Sequence, residues 1–597
     1  MKLPLSRSLQ IGVLIGLTIL VYLPSLRCGY IWDDDAYVIG NRTVQSDNAL
    51  RHIWTKPRSL PQYYPLVHTS YWIEYHLWGL HPLGYHLVNV LLHTLGVILL
   101  LGVLRKLNVP GAWLAAAVFA VHPVQVESVT WITERKNVLS GVFYFGSLLT
   151  YLSWRPFDEG QQRKGYWMFV LAFILFVFSL LSKSITASLP AAILVLTWWK
   201  RGRIRWQDVF PLLPMVAVGI LLGLHTAHLE KHHVGAMGPE WEFTLIERIL
   251  IAGRSAWFYV GKLIWPNPLV FIYPRWNIDP AAWWQYAFPI TAAAIVIALW
   301  LLREKTGRGP IAAVLIYGGT LLPASGFFNV YPMRYSFVAD HFQYLAGAAL
   351  IALFIGIVTC RVPHRGASRA GTVLSCLVLL VFGTLTWKQQ ANYVDHKTLW
   401  QATRKHNPDG WVVIHNLAHI NLKAGNYDLA KGQFERALEL KPDSAEDVAS
   451  LGEVHFHLGD EDRALALYLK AIDMKPNYAP AHHSLGAIYQ RKKNLEFAKQ
   501  HYERATRGYP PVPEAHMNLG DLLLDEGKVA EAAAQFEEAV RAKDGYTAAL
   551  NNLGIAKERL GELDAARHYF ERALHYDPSF GVARGNLDRV SQKMGVE

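Results

Sequence analysis

The sequence predicts an all-α protein in two parts: a polytopic membrane domain of about eleven transmembrane helices, then a C-terminal α-solenoid. Three observations predict it. Apolar runs of near-spanning length recur from Ile11 to Thr386 and stop near Trp387. Lys and Arg gather in the short loops between those runs, as loops that orient a membrane protein do. Beyond residue 409 the chain repeats itself every 34 residues. Composition agrees, since 52% of residues are hydrophobic, 21 are Trp and only 18% are charged, a balance between a membrane protein and a soluble one. The net charge of +11 is carried mostly by those loops, so membrane lipids are expected partners and nucleic acid is not. Cys28, Cys360 and Cys376 have no metal-ligand spacing and imply no disulfide framework.

The first run, Ile11 to Leu23, follows Lys2 and Arg7 and lacks a small-x-small cleavage site, so it reads as a retained signal anchor with a cytoplasmic N-terminus. Later runs cover Tyr85 to Leu104, closing on Arg105-Lys106, and Trp113 to Val121. Val138 to Leu152 precedes Arg155, Arg163 and Lys164; Tyr166 to Leu181 follows; Ala187 to Trp199 closes on Lys200-Arg201-Gly202-Arg203. Phe210 to Leu224, Ala287 to Leu302, Ile311 to Leu322, Leu345 to Val358 and Thr372 to Thr386 complete the set. The segment Ile249 to Val260 carries Arg254 inside and Glu247, Arg248 and Lys262 at its edges, and reads as interfacial or half-inserted.

Eleven crossings place the loops with Arg303, Lys305 and Arg308, and with Arg361, Arg365 and Arg369, in the cytoplasm; twelve would put both outside, against the positive-inside rule. The odd count sends the repeats outward. The predicted location is the inner (cytoplasmic) membrane, with a periplasmic repeat domain.

On this topology the outer loops collect the acids and bases. Asp33, Asp34 and Asp35 follow the first run, ahead of the aromatic, His-rich stretch from Tyr63 to Pro82. His122, Glu127, Glu134, Arg135 and Lys136 share a later loop; Lys183 stands between two apolar runs; Arg334, Asp340 and His341 precede the last pair. The inner loops are simply basic, and that asymmetry predicts an active site on the outer face. Each member has a plainer reading: a solvated acidic turn, a helix-end His122, a structural Glu127–Arg135 pair, an Arg334 on lipid phosphate. Lys183 is the hardest to explain plainly, because an ammonium there is costly unless it meets an anion.

The repeats are legible residue by residue. Leu417, Leu451, Leu485, Leu519 and Leu553 keep the 34-residue step, as do Ala437, Ala471, Ala505, Ala539 and Ala573, and the aromatics Phe434, Tyr468, Tyr502, Phe536 and Phe570. This is the tetratricopeptide period. Pro442, Pro476, Pro510 and Pro578 are expected to end the second helices; Asp544 replaces Pro in the fourth repeat and predicts a weaker stop. Trp400 and Pro408 fit a half repeat. The expected domains are 1–393 for the membrane part, 394–408 for the half repeat, and 409–597 for five repeats plus a C-terminal cap. Such arrays offer a concave binding face. Asn416, Asn518 and Asn552, just before the repeating Leu, are candidate peptide-binding carboxamides, although Ser450 and Ser484 interrupt the ladder and helix-surface Asn is the plain alternative.

Short loop motifs add a family resemblance. Trp32-Asp33-Asp34 with Tyr37-Val38-Ile39-Gly40-Asn41 resembles the acidic first-loop motif of the transmembrane and tetratricopeptide repeat-containing protein O-mannosyltransferases, members of the GT-C glycosyltransferases. Further matches are Tyr64-Pro65-Leu66, Leu77-Trp78-Gly79-Leu80 with Gly84-Tyr85-His86, His122-Pro123-Val124 with Glu127-Ser128-Val129 and Trp131, Glu134-Arg135-Lys136, and Ser182-Lys183 before Leu189-Pro190. Asn137 and Asp340-His341-Phe342 depart from the family pattern.

The resemblance implies transfer of mannose or a similar hexose from a polyprenyl phosphate to Ser/Thr hydroxyls of exported polypeptides, with inversion. It implies Asp33 or Asp34 as base and Lys183 with Arg334 on the donor phosphate. His122, Glu127, Arg135, Asp340 and His341 would position the loop or the acceptor. No cofactor and no metal are expected, and no Gly-rich nucleotide loop points to a nucleotide-sugar donor. Two alternatives are a lipid-linked glycan ligase or polymerase with a repeat tail, and a non-catalytic scaffold that recruits envelope proteins.

Overall fold

The computed structural model describes residues 6–46, 48–157, 165–361 and 369–595. Lys2, Arg163, Lys164 and Arg365, used above for orientation, lie outside the described residues, as do the side chains of Arg361 and Arg369. The chain folds as two compact units, residues 1–410 and 411–597, and the described residues contain no β-strand.

In the first unit each of the eleven apolar runs is a helix: α1 (Arg7–Val21), α3 (Pro82–Lys106), α4 (Ala112–Val121), α5 (Arg135–Trp154), α6 (Trp167–Ser182), α7 (Leu189–Arg201), α8 (Leu213–Leu229), α10 (Ala287–Leu301), α11 (Gly309–Leu321), α12 (Tyr344–Arg361) and α13 (Arg369–Gln390). Two more complete the numbering: α2 (Pro65–Trp78), between α1 and α3, and α9 (Leu245–Ile264), the segment with interior charge. Helix α9 begins with a reciprocal cap, in which Thr244 Oγ1 takes the Glu247 N–H and Glu247 takes the Thr244 N–H. Its Arg254 guanidinium lies 4.4 Å from the Trp276 ring centroid, which accommodates the charge beside apolar helices.

Where eleven crossings were expected, five segments among the described residues are long and apolar enough to span a membrane unaided: Pro82–Lys106, Trp206–Val234, Trp283–Leu301, Asp340–Cys360 and Gly371–Tyr393. A sixth results if α4 and Pro123–Thr130, bent by 54°, form one broken span. Three of the remaining runs fall short for local reasons. Pro190 and Pro310 sit in the first turns of α7 and α11 and fix where those helices start. Helix α5 spends its first turn on Arg135, Lys136 and Asn137, which dilutes its apolar content. Those three residues belong to the site.

The second unit is a stack of helix pairs: α14 (Trp411–Lys423) with α15 (Tyr427–Leu440), α16 (Ala445–His457) with α17 (Glu461–Met474), α18 (Ala479–Arg491) with α19 (Leu495–Arg507), α20 (Pro513–Asp525) with α21 (Val529–Ala542), and α22 (Thr547–Arg559) with α23 (Leu563–Tyr576). A final helix, α24 (Gly581–Met594), follows the last pair. The repeating aromatics are buried, and each of the last four faces a glycine on its partner helix: a Cβ at Gly486 would lie 2.5 Å from Tyr502, and one at Gly554 equally close to Phe570. Removing the side chain is what lets the paired helices approach. The fourth stop falls at the same register as the others despite Asp544. Helix α21 ends in register at Ala542, and Gly545 turns the chain at φ +72° while Asp544 accepts from the Gly545 N–H and the Tyr576 hydroxyl.

Candidate functional site

The acidic stretch after α1 is held by backbone capture. Asp34 is fully buried; its Oδ2 accepts from Ile31 N at 2.8 Å, and its Oδ1 accepts from Thr133 N at 2.9 Å and Thr133 Oγ1 at 2.6 Å. Burial pushes its carboxyl up to about 7 despite those three donors. Asp33, next to it, is half-buried, and its carboxylate has no hydrogen bond or ion pair among the described residues. Burial raises its pKa, and Lys136 opposes the rise. The two acids are therefore set apart: Asp34 ties the first loop to the Glu134 loop, and Asp33 presents an unclaimed carboxylate.

Trp32 holds the pair from the other side. Its backbone sits at φ +40°, a strained conformation for a bulky residue that must be imposed by its surroundings. An aromatic box supplies the constraint: Trp131 stacks at 6.2 Å, Phe271 and Trp400 approach to 5.1 Å, and Tyr335 to 5.6 Å. The Trp32 N–H meets His396 Nδ1 at 3.1 Å, while Trp400 donates to His396 Nε2 at 3.2 Å. The segment with Trp400 thus packs within the first unit, against the acidic loop.

Around Asp33 the basic groups converge on Glu134. Lys136 Nζ lies 3.0 Å and His341 Nε2 3.7 Å from Glu134 Oε1, and Lys183 Nζ lies 3.6 Å from Oε2. Burial alone would raise Glu134, but His341, Lys136 and Lys183 together hold it down at about 2. Lys183 is thus not a lone ammonium. It donates to Asn137 Oδ1 at 2.6 Å, and burial lowers it to about 8 while Glu134 resists. Glu127 accepts from the His341 backbone N–H at 2.9 Å and lies 3.1 Å from its Nδ1, joining the late loop to the Glu134 loop. Asp340 takes the Tyr273 hydroxyl with both oxygens, each at 3.1 Å.

Other expected residues lie outside this cluster. Arg135 is fully buried and pairs with Glu74 of α2, not with Glu127, and also donates to Asn89, Ser70 and the Tyr85 carbonyl. His122 accepts from Val124 N and meets the Leu263 carbonyl at 3.0 Å, so it braces the bend after α4. Arg334 occupies an aromatic cradle, over Tyr331 at 5.2 Å and Tyr335 at 5.3 Å, with Glu240 3.3 Å from Nε. Tyr335 links that cradle to Trp32. Sequence reasoning gave no role to Glu74, Thr133, Glu230 or the aromatic box. Glu74 had a signal, as an acid between Ile73 and Tyr75, whereas Glu230 stands in an ordinary polar run before Lys231 and nothing around Thr133 marks it out. Glu230 is buried, accepting from Gln62 and from Tyr331 N.

In the repeat unit, the carboxamides serve neighbouring side chains and backbone. Asn416 donates to Val412 O at 2.7 Å, Asn518 meets His483 at 3.1 Å, and Asn552 donates to Asp521 at 2.8 Å.

Tetratricopeptide repeat models match residues 415–479, 485–547 and 547–580. Curated relatives are protein O-mannosyl-transferases: human TMTC3 is 30% identical over 152 residues, covering 24% of this chain and 17% of that protein. Drosophila melanogaster Tmtc1 is 35% identical over 151 residues (24% and 17%), and Caenorhabditis elegans F38B6.6 is 23% identical over 453 residues (72% and 62%). The chain's relatives are thus of the TMTC family, as the loop motifs indicated, and the matched stretch spans only about a sixth of the first of them. Among solved structures, MamA is 23% identical with a TM-score of 0.24, covering 27% of this chain and 95% of that one. Pseudomonas aeruginosa pilF is 24% identical with a TM-score of 0.29, covering 32% and 86%.

Proposed function

We propose that the protein is an inverting glycosyltransferase that moves mannose or a similar hexose from a polyprenyl phosphate to Ser or Thr hydroxyls of exported polypeptides, at the outer face of the cytoplasmic membrane. The observation that carries this reading is the unclaimed Asp33 carboxylate beside cations gathered on Glu134. The names of the relatives support protein O-mannosylation, and the outer loops supply the chemistry.

Asp33 is the base. As the acceptor oxygen attacks the anomeric carbon, Asp33 takes its proton and the bond from that carbon to the phosphate oxygen breaks. A positioned base of this kind contributes about 10²- to 10⁴-fold. Asp34 is a positioning residue, because both its oxygens are occupied by backbone and hydroxyl donors. Lys183 and Lys136 stabilise the charge growing on the departing phosphate, which competes with Glu134 for them. Arg334, in its cradle of Tyr331 and Tyr335, binds the donor phosphate together with Lys183. Glu127, His341, Asp340, Arg135 and His122 hold the loops in register, and the repeats present the acceptor.

Transfer of labelled mannose from a polyprenyl-phosphate mannose to peptide tests the reading. Label on peptide supports it. Label on lipid-linked glycan alone identifies a ligase, and no transfer from any polyprenyl-phosphate hexose indicates the scaffold.

A further inference from the structure

The first two tetratricopeptide repeats bring together three side chains that the transfer chemistry does not use. We propose that His415, His419 and Glu446 form a site for a divalent transition-metal ion of the zinc class, with Asp447 orienting His415. His415 and His419 stand one turn apart on α14, so their rings share a face, with centroids 4.5 Å apart. Glu446 enters from the first turn of α16, and the ligand atoms of all three residues lie within 4.8 Å of one another. Tetrahedral zinc needs ligand atoms about 3.3–3.5 Å apart. Rotation of the exposed, unbranched Glu446 side chain adjusts its own distance to the two imidazoles.

The surroundings are those of a ligand set. His415 Nδ1 lies 2.6 Å from Oδ1 of the fully buried Asp447, an arrangement that holds the proton on Nδ1 and the lone pair on Nε2. The His419 ring packs edge-on against Phe434 at 5.0 Å, and its Nε2 is buried without a hydrogen-bond partner, which is costly unless a ligand uses it. Two imidazoles and a carboxylate suit zinc and leave a fourth position open. Because α14 and α16 belong to adjacent repeats, the ion would clamp them and offer its open position to an oxygen of a bound polypeptide.

Co²⁺ and Zn²⁺ titrations of the full chain, purified in detergent and stripped with a chelator, test the site. One equivalent of Co²⁺ is expected to give the visible absorption of a tetrahedral ion and to be displaced by Zn²⁺. Glu446→Gln should weaken Co²⁺ binding at least about tenfold, and His419→Gln should abolish the band. Unchanged circular dichroism of the metal-free variants controls for folding, and exposed Glu446 carries the test if His419→Gln unfolds. The same spectrum and displacement in wild type and both variants, or no stoichiometric band in wild type, would overturn the proposal.

Discussion

Asp34 and Thr133, 99 residues apart, are joined twice: one carboxylate oxygen accepts both the backbone N–H and the hydroxyl of Thr133. The pair fixes the acidic loop to the Glu134 loop, and through it the position of Asp33. Asp34→Asn turns an acceptor towards donors and is expected to cost about 1–3 kcal/mol. Thr133→Val, which keeps the backbone bond, should cost less. Thermal midpoints in detergent measure both.

Glu74 and Arg135 make a buried ion pair beneath the same loop. Glu74→Ala leaves a guanidinium buried without its carboxylate and should destabilise the protein by about 3–5 kcal/mol. Arg135→Lys should not restore it, because an ammonium cannot reproduce the fork to Glu74, Asn89 and the Tyr85 carbonyl. Limited proteolysis with heat ranks the variants.

The pH profile of transfer follows from two groups. Asp33 must be deprotonated to accept a proton, and its pKa is raised by burial, so activity should climb with pH through a range above that of ordinary carboxylates. Lys183 must be protonated to hold phosphate, and it titrates near 8, so activity should fall above that pH. Lys183→Arg, charged throughout, should move the alkaline limb upward while leaving the acid limb in place. Initial rates from pH 4 to 10 record both limbs.

Within the repeats, Gly486 faces Tyr502 so closely that Gly486→Ala forces the ring to move. Overpacking of this kind is expected to cost about 1–3 kcal/mol. Gly432, with nothing within 4 Å of an added Cβ, should tolerate Ala far better. Paired chemical denaturation of the two variants checks the contrast.

Much of this was legible in the sequence, for reasons that differ by region. The repeats announce themselves because one packing solution recurs at one spacing, so Tyr502 and Phe570 identify their partner glycines 16 residues earlier. The membrane helices were legible as apolar runs, but their capacity to span was not, because Pro190, Pro310 and the polar first turn of α5 shorten or dilute them. The loop residues of the candidate site were legible as a set and not as pairs. Composition carries no partner information, so Arg135 reads as well against Glu127 as against Glu74. Equally, nothing in three consecutive aspartates distinguishes the one tied to Thr133 from the one left open.

One comparison separates the two carboxylates: label transferred from polyprenyl-phosphate mannose to peptide by wild type, Asp33→Asn and Asp34→Asn at matched expression, with thermal midpoints alongside. Asp33→Asn is expected to lose about 10²- to 10⁴-fold in rate at an unchanged midpoint, while Asp34→Asn lowers the midpoint and retains activity at low temperature. Full transfer by Asp33→Asn, with loss confined to a stably folded Asp34→Asn, would contradict Asp33 as the base.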